Sequence, residues 1–147
     1  MSFDVYVIAV PINDGDQEGP KFERSIVENA FQSMAVNQDT DYWHIRDLDG
    51  AFVSATLFVD VDPMITIFSS NRPPSYAFPQ FWEAIYAVLR QTWTMICWPA
   101  DEDETQCCVA NEEILATWPE SMKASLGVPV VVRSGAEITK AIGFVEG

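Results

Sequence analysis

At 147 residues, with 48% hydrophobic and 20% charged residues, the chain has the size and composition of one globular domain and lies far from the disordered class. Twenty-two acids against eight Lys and Arg leave a net charge of −14, a field that repels phosphate backbones and anionic membranes and attracts basic partners. That balance excludes nucleic acid as an expected ligand, and the longest apolar runs are too short to span a membrane.

Phe3 to Val10 is a β-branched and aromatic run stopped by Pro11, and it predicts a first strand. It has no basic n-region and carries Asp4 inside its apolar stretch, so it is not expected to be a signal peptide, and a cytoplasmic location follows. Asn13 to Pro20 is dense in turn formers. From Lys21 the apolar residues Phe22, Ile26, Val27, Ala30, Phe31 and Met34 recur at helical spacing.

Two strands are expected over Tyr42 to Leu48 and Ala51 to Val61, joined at Asp49-Gly50, a dipeptide suited to a tight hairpin. In the second, Val53, Ala55, Leu57, Val59 and Val61 line one apolar face, while Phe52, Ser54, Thr56, Phe58 and Asp60 line a mixed one. That contrast predicts a sheet covered by helices on one side. Met64 to Ser69 would add a third antiparallel strand.

After the break at Asn71 to Ser75, the residues Phe81, Trp82, Ile85, Val88, Leu89 and Trp93 form the strongest helical stripe, with Pro79 in its first turn. Thr94 to Trp98 and Gln106 to Ala110 read as a hairpin around Asp101-Glu102-Asp103-Glu104. Asn111 and Thr117 are expected helix N-caps, Gly127 a stop, and Val128 to Arg133 a last strand. Ser134 with Glu137 has capping-box spacing before a helix ending at Gly143. The order predicts one α+β domain over residues 1–147, with a mainly antiparallel sheet and helices packed on one face.

Few residues carry recognisable chemistry. Asp14 to Gly19 matches the first half of a calcium loop, but Ser25 stands where the closing carboxylate is required, so a solvated acidic turn is expected. Cys97, Cys107 and Cys108 with His44 could be written as a zinc set, yet adjacent Cys107 and Cys108 on a strand project to opposite faces. Buried thiols in a reducing compartment are the expectation, with a bridge from Cys97 to Cys107 or Cys108 as the alternative. No Gly-rich phosphate loop and no nucleophile elbow occur, so neither a cofactor nor a catalytic residue is assigned. The enzymatic alternative is a small hydrolase using His44, the only histidine, with Asp60 or Asp62.

Asp101 to Glu104 concentrate four negative charges beside Trp98-Pro99. An aromatic anchor next to a charged rim is a composition that interface hot spots favour, which makes Trp98, Asp101, Glu102, Asp103 and Glu104 the candidate partner-binding residues. With its acidic runs Asp14 to Glu18, Asp60 to Asp62 and Asp101 to Glu104 and its many tryptophans, the chain resembles the small acidic immunity and antitoxin proteins that neutralise bacterial toxins. The resemblance implies non-catalytic occlusion of a basic groove on a partner protein, the acids pairing with Lys and Arg while an aromatic fills a pocket. A homo-oligomeric module joined through an apolar strand or helix face is a further alternative.

Overall fold

The computed structural model describes residues 4–13, 18–36, 40–46, 53–71, 79–101 and 104–143. The turn at Asp49-Gly50, the core of the calcium-like loop at Asp14 to Gln17, the break from Arg72 to Phe78 and the acids Glu102 and Asp103 lie outside them. In chain order the elements are β1 (Asp4–Ala9), β2 (Phe22–Glu23), α1 (Arg24–Phe31), β3 (Ala35–Val36), β4 (Tyr42–Arg46), β5 (Val53–Val59), β6 (Met64–Ile65), β7 (Ile67–Asn71), α2 (Pro79–Gln91), β8 (Thr94–Asp101), β9 (Glu104–Val109), α3 (Glu113–Ala116), α4 (Glu120–Leu126), β10 (Val130–Val131) and α5 (Gly135–Ile142).

The α+β class with a mainly antiparallel sheet and helices against it is what the sequence predicts. Among the described residues, eight strands run in the order β10-β9-β8-β1-β7-β5-β4-β3, with only β10 parallel to its neighbour, while β2 and β6 form a separate two-stranded piece. The first strand is central: β1 pairs antiparallel with both β7 and β8, so its apolar alternation is needed in the middle of the sheet. Val5, Val7 and Ala9 face one way, together with Leu57, Val59, Trp43, Ile45, Phe68, Ile96 and Trp98, and all are buried.

Helices α1, α2 and α5 close over this face. Helix α2 buries Phe81, Trp82, Ala84, Ile85, Val88 and Leu89, a stripe broad enough to make it the centre of the core. Phe81 meets Trp82 and Phe31 edge to face, with ring centroids 5.0 and 5.6 Å apart. Helix α5 lies so close to α2 that a Cβ on Gly135 would stand 2.6 Å from the α2 backbone, which reserves that position for glycine. Its N-terminus is satisfied twice. The Gly135 N–H donates to Glu83 Oε1 at 2.8 Å, and Ser134 Oγ accepts from the Glu137 N–H at 3.2 Å.

Arg24 ties α1 to the far end of the sheet. Its Nε donates to the Asp60 carbonyl at 2.8 Å, it pairs with Glu28, and its guanidinium lies 5.1 Å from the Trp43 ring centroid.

Three expectations need correction. Thr117 does not cap the start of a helix: it closes α3, and α4 begins after Pro119 with no side-chain cap, the Met122 and Lys123 N–H groups donating to the Pro119 carbonyl at 3.1 and 3.0 Å. The last strand shrinks from the expected 128–133 to Val130–Val131, since only Cys108 and Val109 offer it pairing. The first helix starts at Arg24, because Phe22 and Glu23 pair instead with Ile65 and Met64. The short helices α3 and α4 add a cover the sequence reading did not foresee. They pass to the second face of the sheet, where Ile114, Leu115, Trp118, Met122 and Leu126 pack against Val10, Met95, Cys97, Cys107 and Val109.

Candidate protein-binding surface

Trp98 is not the exposed anchor that the sequence suggests; Glu102, Asp103 and the side chains of Asp101 and Glu104 lie outside the described residues. Trp98 is 3% exposed. The cause is strand alternation: it shares its face of β8 with Ile96, which turns toward α2 and α5, so the indole joins the main core. Asp101 and Glu104 are paired strand ends, with a register shift between Pro99 and Asp101. Trp98 instead forms one wall of a cavity of about 890 Å³ at the sheet edge, with Gln106, Leu126, Val128, Lys140 and Ala141 among the other walls. A volume of that size is typical of ligand sites.

His44 is kept apart from Asp60 and Asp62. It lies half-buried on the second face of the sheet, opposite Thr56, so Asp60 is four residues further along and roughly 13 Å away at the rise of a strand. Asp60 is occupied locally, its Oδ1 accepting from the Asp62 N–H at 3.1 Å. The His44 ring stacks edge to face on Tyr42 at 5.6 Å, and its Nδ1 is buried with no hydrogen-bond partner among the described residues. A second cavity, of about 490 Å³ between Glu23, Arg24, Glu28, Val61 and Met64, contains none of the three. Among the described residues these three assemble no acid-base dyad.

The cysteines are free and buried. Cys97 and Cys107 face each other across β8 and β9, whereas Cys108 projects into the main core, which separates the adjacent pair as alternation requires. Burial pushes Cys97 and Cys108 up to about 12 and Cys107 up to about 11, with the neighbouring Cys107 adding to the effect on the first two. Burial and a raised pKa favour the protonated thiol over the reactive thiolate at neutral pH. Among the described residues no cluster of His, Cys, Asp and Glu could hold a metal ion.

The surface that sequence reasoning missed is the other half of the second sheet face, over β1, β7, β5 and β4. Register places Tyr6, Ser69, Phe58 and Tyr42 in one row across four strands, and Asn71, Thr56 and His44 in the next. Ile67 lies beside Ile8 at the near end. Tyr6 is 37% exposed, Tyr42 45%, Phe58 46% and Ile67 44%. Taking about 200 Å² for a large side chain, these fractions leave roughly 300 Å² open, the scale of the largest patch on an ordinary monomer, and such patches often mark interaction sites.

Its chemistry sets it apart from the rest of the molecule. In a chain of 22 acids the first row contains none, and the second contains only Asp4, which pairs with Asn71 at its β1 end. The signal was present in the sequence as the mixed face of β5, where Phe58 alternates with the buried Leu57 and Val59. What strand periodicity could not supply was the pairing that brings Tyr6 and Tyr42 into line with it.

Compared with known proteins, the chain matches no family model, no curated protein and no solved structure. No helix among the described residues is long and apolar enough to cross a membrane.

Proposed function

We propose that the chain is a non-catalytic binding protein that neutralises a basic partner protein in the cytoplasm, in the manner of an immunity protein, and that it grips this partner with the open sheet face. One observation carries the reading: Tyr6, Tyr42, Phe58 and Ile67 stand together, exposed and nearly free of charge, on a molecule of net charge −14. Tyr and Phe are enriched in the centres of interfaces, where charged residues are depleted, and a surrounding negative field steers a basic partner toward contact. The two properties divide the work: the field speeds encounter, and the desolvated aromatics slow release.

The hydrolase reading loses support from the separation of His44 from Asp60 and Asp62. A second copy of the chain remains the competing occupant, because a face whose rows hold a single acid, Asp4, limits the repulsion between two anionic molecules. The test is affinity capture from native cell extract, followed by kinetics on the captured protein. The proposal expects a basic protein in fixed stoichiometry, with an association rate that falls steeply as salt rises. A face taken by a second copy would instead give a dimer in light scattering and no basic partner.

A further inference from the structure

The cavity at the sheet edge exists because the sheet stops short there. Strand β10 pairs with β9 only through Val130 and Val131, and Gly127, at a φ of 73°, turns the chain out of α4 before β10 begins. A space of about 890 Å³ is left between these elements and α5. Apolar side chains wall it, Trp98 and Val132 on the side of the main core and Leu126 and Val128 on the side of α4. Val128 and Val130 are 64% and 54% exposed, so the mouth is open to solvent.

Helix α5 supplies the charges. Glu137, Lys140 and Ala141 stand one turn apart on a single stripe of α5 and line the cavity, while Ile138 and Thr139 are buried elsewhere on the helix. Glu137 and Lys140 are the charged groups among the described lining residues, and both are exposed. Neither side chain is spoken for. The ion pairs among the described residues are Arg24 with Glu28 and Arg133 with Glu112, and the Glu137 carboxylate and the Lys140 ammonium make no hydrogen bond there.

Apolar walls with a few convergent polar groups are the makeup of small-molecule sites. Here the polar groups are one anion and one cation, side by side at the edge of the hollow, and that pair selects the ligand. A simple acid drawn to Lys140 would meet the like charge of Glu137, and a simple amine drawn to Glu137 would meet Lys140. A molecule with an ammonium and a carboxylate on adjacent atoms satisfies both. It is neutral overall, so the field of a chain with net charge −14 does not repel it. The indole of Trp98 in the wall favours an aromatic ring as the apolar part.

We propose that the cavity between α5, α4 and the β9 and β10 edge binds an α-amino acid with an aromatic side chain, its carboxylate on Lys140, its ammonium on Glu137 and its ring in the hollow against Trp98. This site is distinct from the aromatic sheet face, and either can fail without the other.

The experiment titrates the full chain, labelled with 15N, with L-phenylalanine, with phenylpropionate, which lacks the ammonium, and with phenethylamine, which lacks the carboxylate. Phenylalanine is expected to shift the amides of Val128, Val130 and Ala141 and the Trp98 indole N–H. Each single-charge analogue is expected to bind about tenfold more weakly or worse, having lost one charge-assisted contact. Two substitutions at exposed positions then separate the contacts. Glu137→Gln is expected to weaken phenylalanine about tenfold and not to weaken phenylpropionate, whereas Lys140→Gln is expected to weaken phenylalanine by a similar factor and not to weaken phenethylamine. An analogue that binds as tightly as phenylalanine, a loss in either variant that is the same for all three molecules, shifts confined to the open sheet face, or no binding at all would overturn the proposal.

Discussion

The second face of the sheet is finished at one end and bare at the other, and the two halves obey the same alternation of side chains. Over β8 and β9 the side chains Met95, Cys97, Cys107 and Val109 are sealed by α3 and α4, and each is at most 6% exposed. Over β7, β5 and β4 the corresponding positions hold Ile67, Phe58 and Tyr42, and these stay open. The difference is one of length and chemistry. Helices α3 and α4 are four and seven residues long, which at the rise of a helix reach only about 6 and 10 Å, too short to cross the remaining strands. The uncovered positions are partly amphipathic, with tyrosine hydroxyls, His44, Ser69 and Thr56 around Phe58. Side chains of the sealed half serve folding, whereas those of the open half leave apolar area exposed.

The contrast can be broken most forcefully by alkali. The thiols of Cys97 and Cys107 in the sealed half, and of Cys108 in the main core, have pKa values raised from 9.0 to about 11 or 12 in the folded chain. Below pH 9 both folded and unfolded chains hold these protons and nothing is lost. Above it the unfolded chain ionises first, so stability should fall as pH rises from about 9 toward 11 or 12, by up to about 1.4 kcal/mol per pH unit for each thiol. Urea midpoints at pH 8, 9 and 10 would show the decline. A double variant, Cys97→Ala with Cys107→Ala, should make it shallower and leave the share of Cys108.

Next in size is Ile114→Ala, which removes a fully buried side chain from beneath the cover of the sealed half. The expected cost is about 2–5 kcal/mol, read as a lowered melting temperature. Ser134→Ala removes the cap of α5 and should cost about 1 kcal/mol in the same assay. Phe58→Ser, on the open half, should change stability least, by about 0.5 kcal/mol. A loss for Phe58→Ser as large as that for Ile114→Ala would mean that the open half is structural after all.

Much of the fold was legible because periodicity carries it. The α2 stripe from Phe81 to Leu89, the hairpin around the acids, the mixed and apolar faces of β5, and the Ser134 cap with Gly143 as terminator all follow from local chemistry. What was not legible depends on distant parts of the chain. Nothing local says that β1 lies between β7 and β8, or that Phe22 pairs with Ile65. Trp98 shows the limit most clearly. Its neighbourhood in sequence, proline and four acids, suggested an exposed anchor, but its parity with Ile96 placed the indole inward. The aromatics that face solvent come from the consecutive strands β4 and β5 and from the distant β1, and only pairing through β7 brings Tyr6 into line with Phe58 and Tyr42.

Affinity of the captured basic partner for the wild-type chain and for a Tyr42→Ser, Phe58→Ser double variant, each confirmed folded, tests the open face most directly. Loss of at least about 2 kcal/mol, some thirtyfold in Kd, is the predicted result for a pair of central aromatic contacts. Unchanged affinity with an unchanged melting temperature would contradict it and would move binding to another surface.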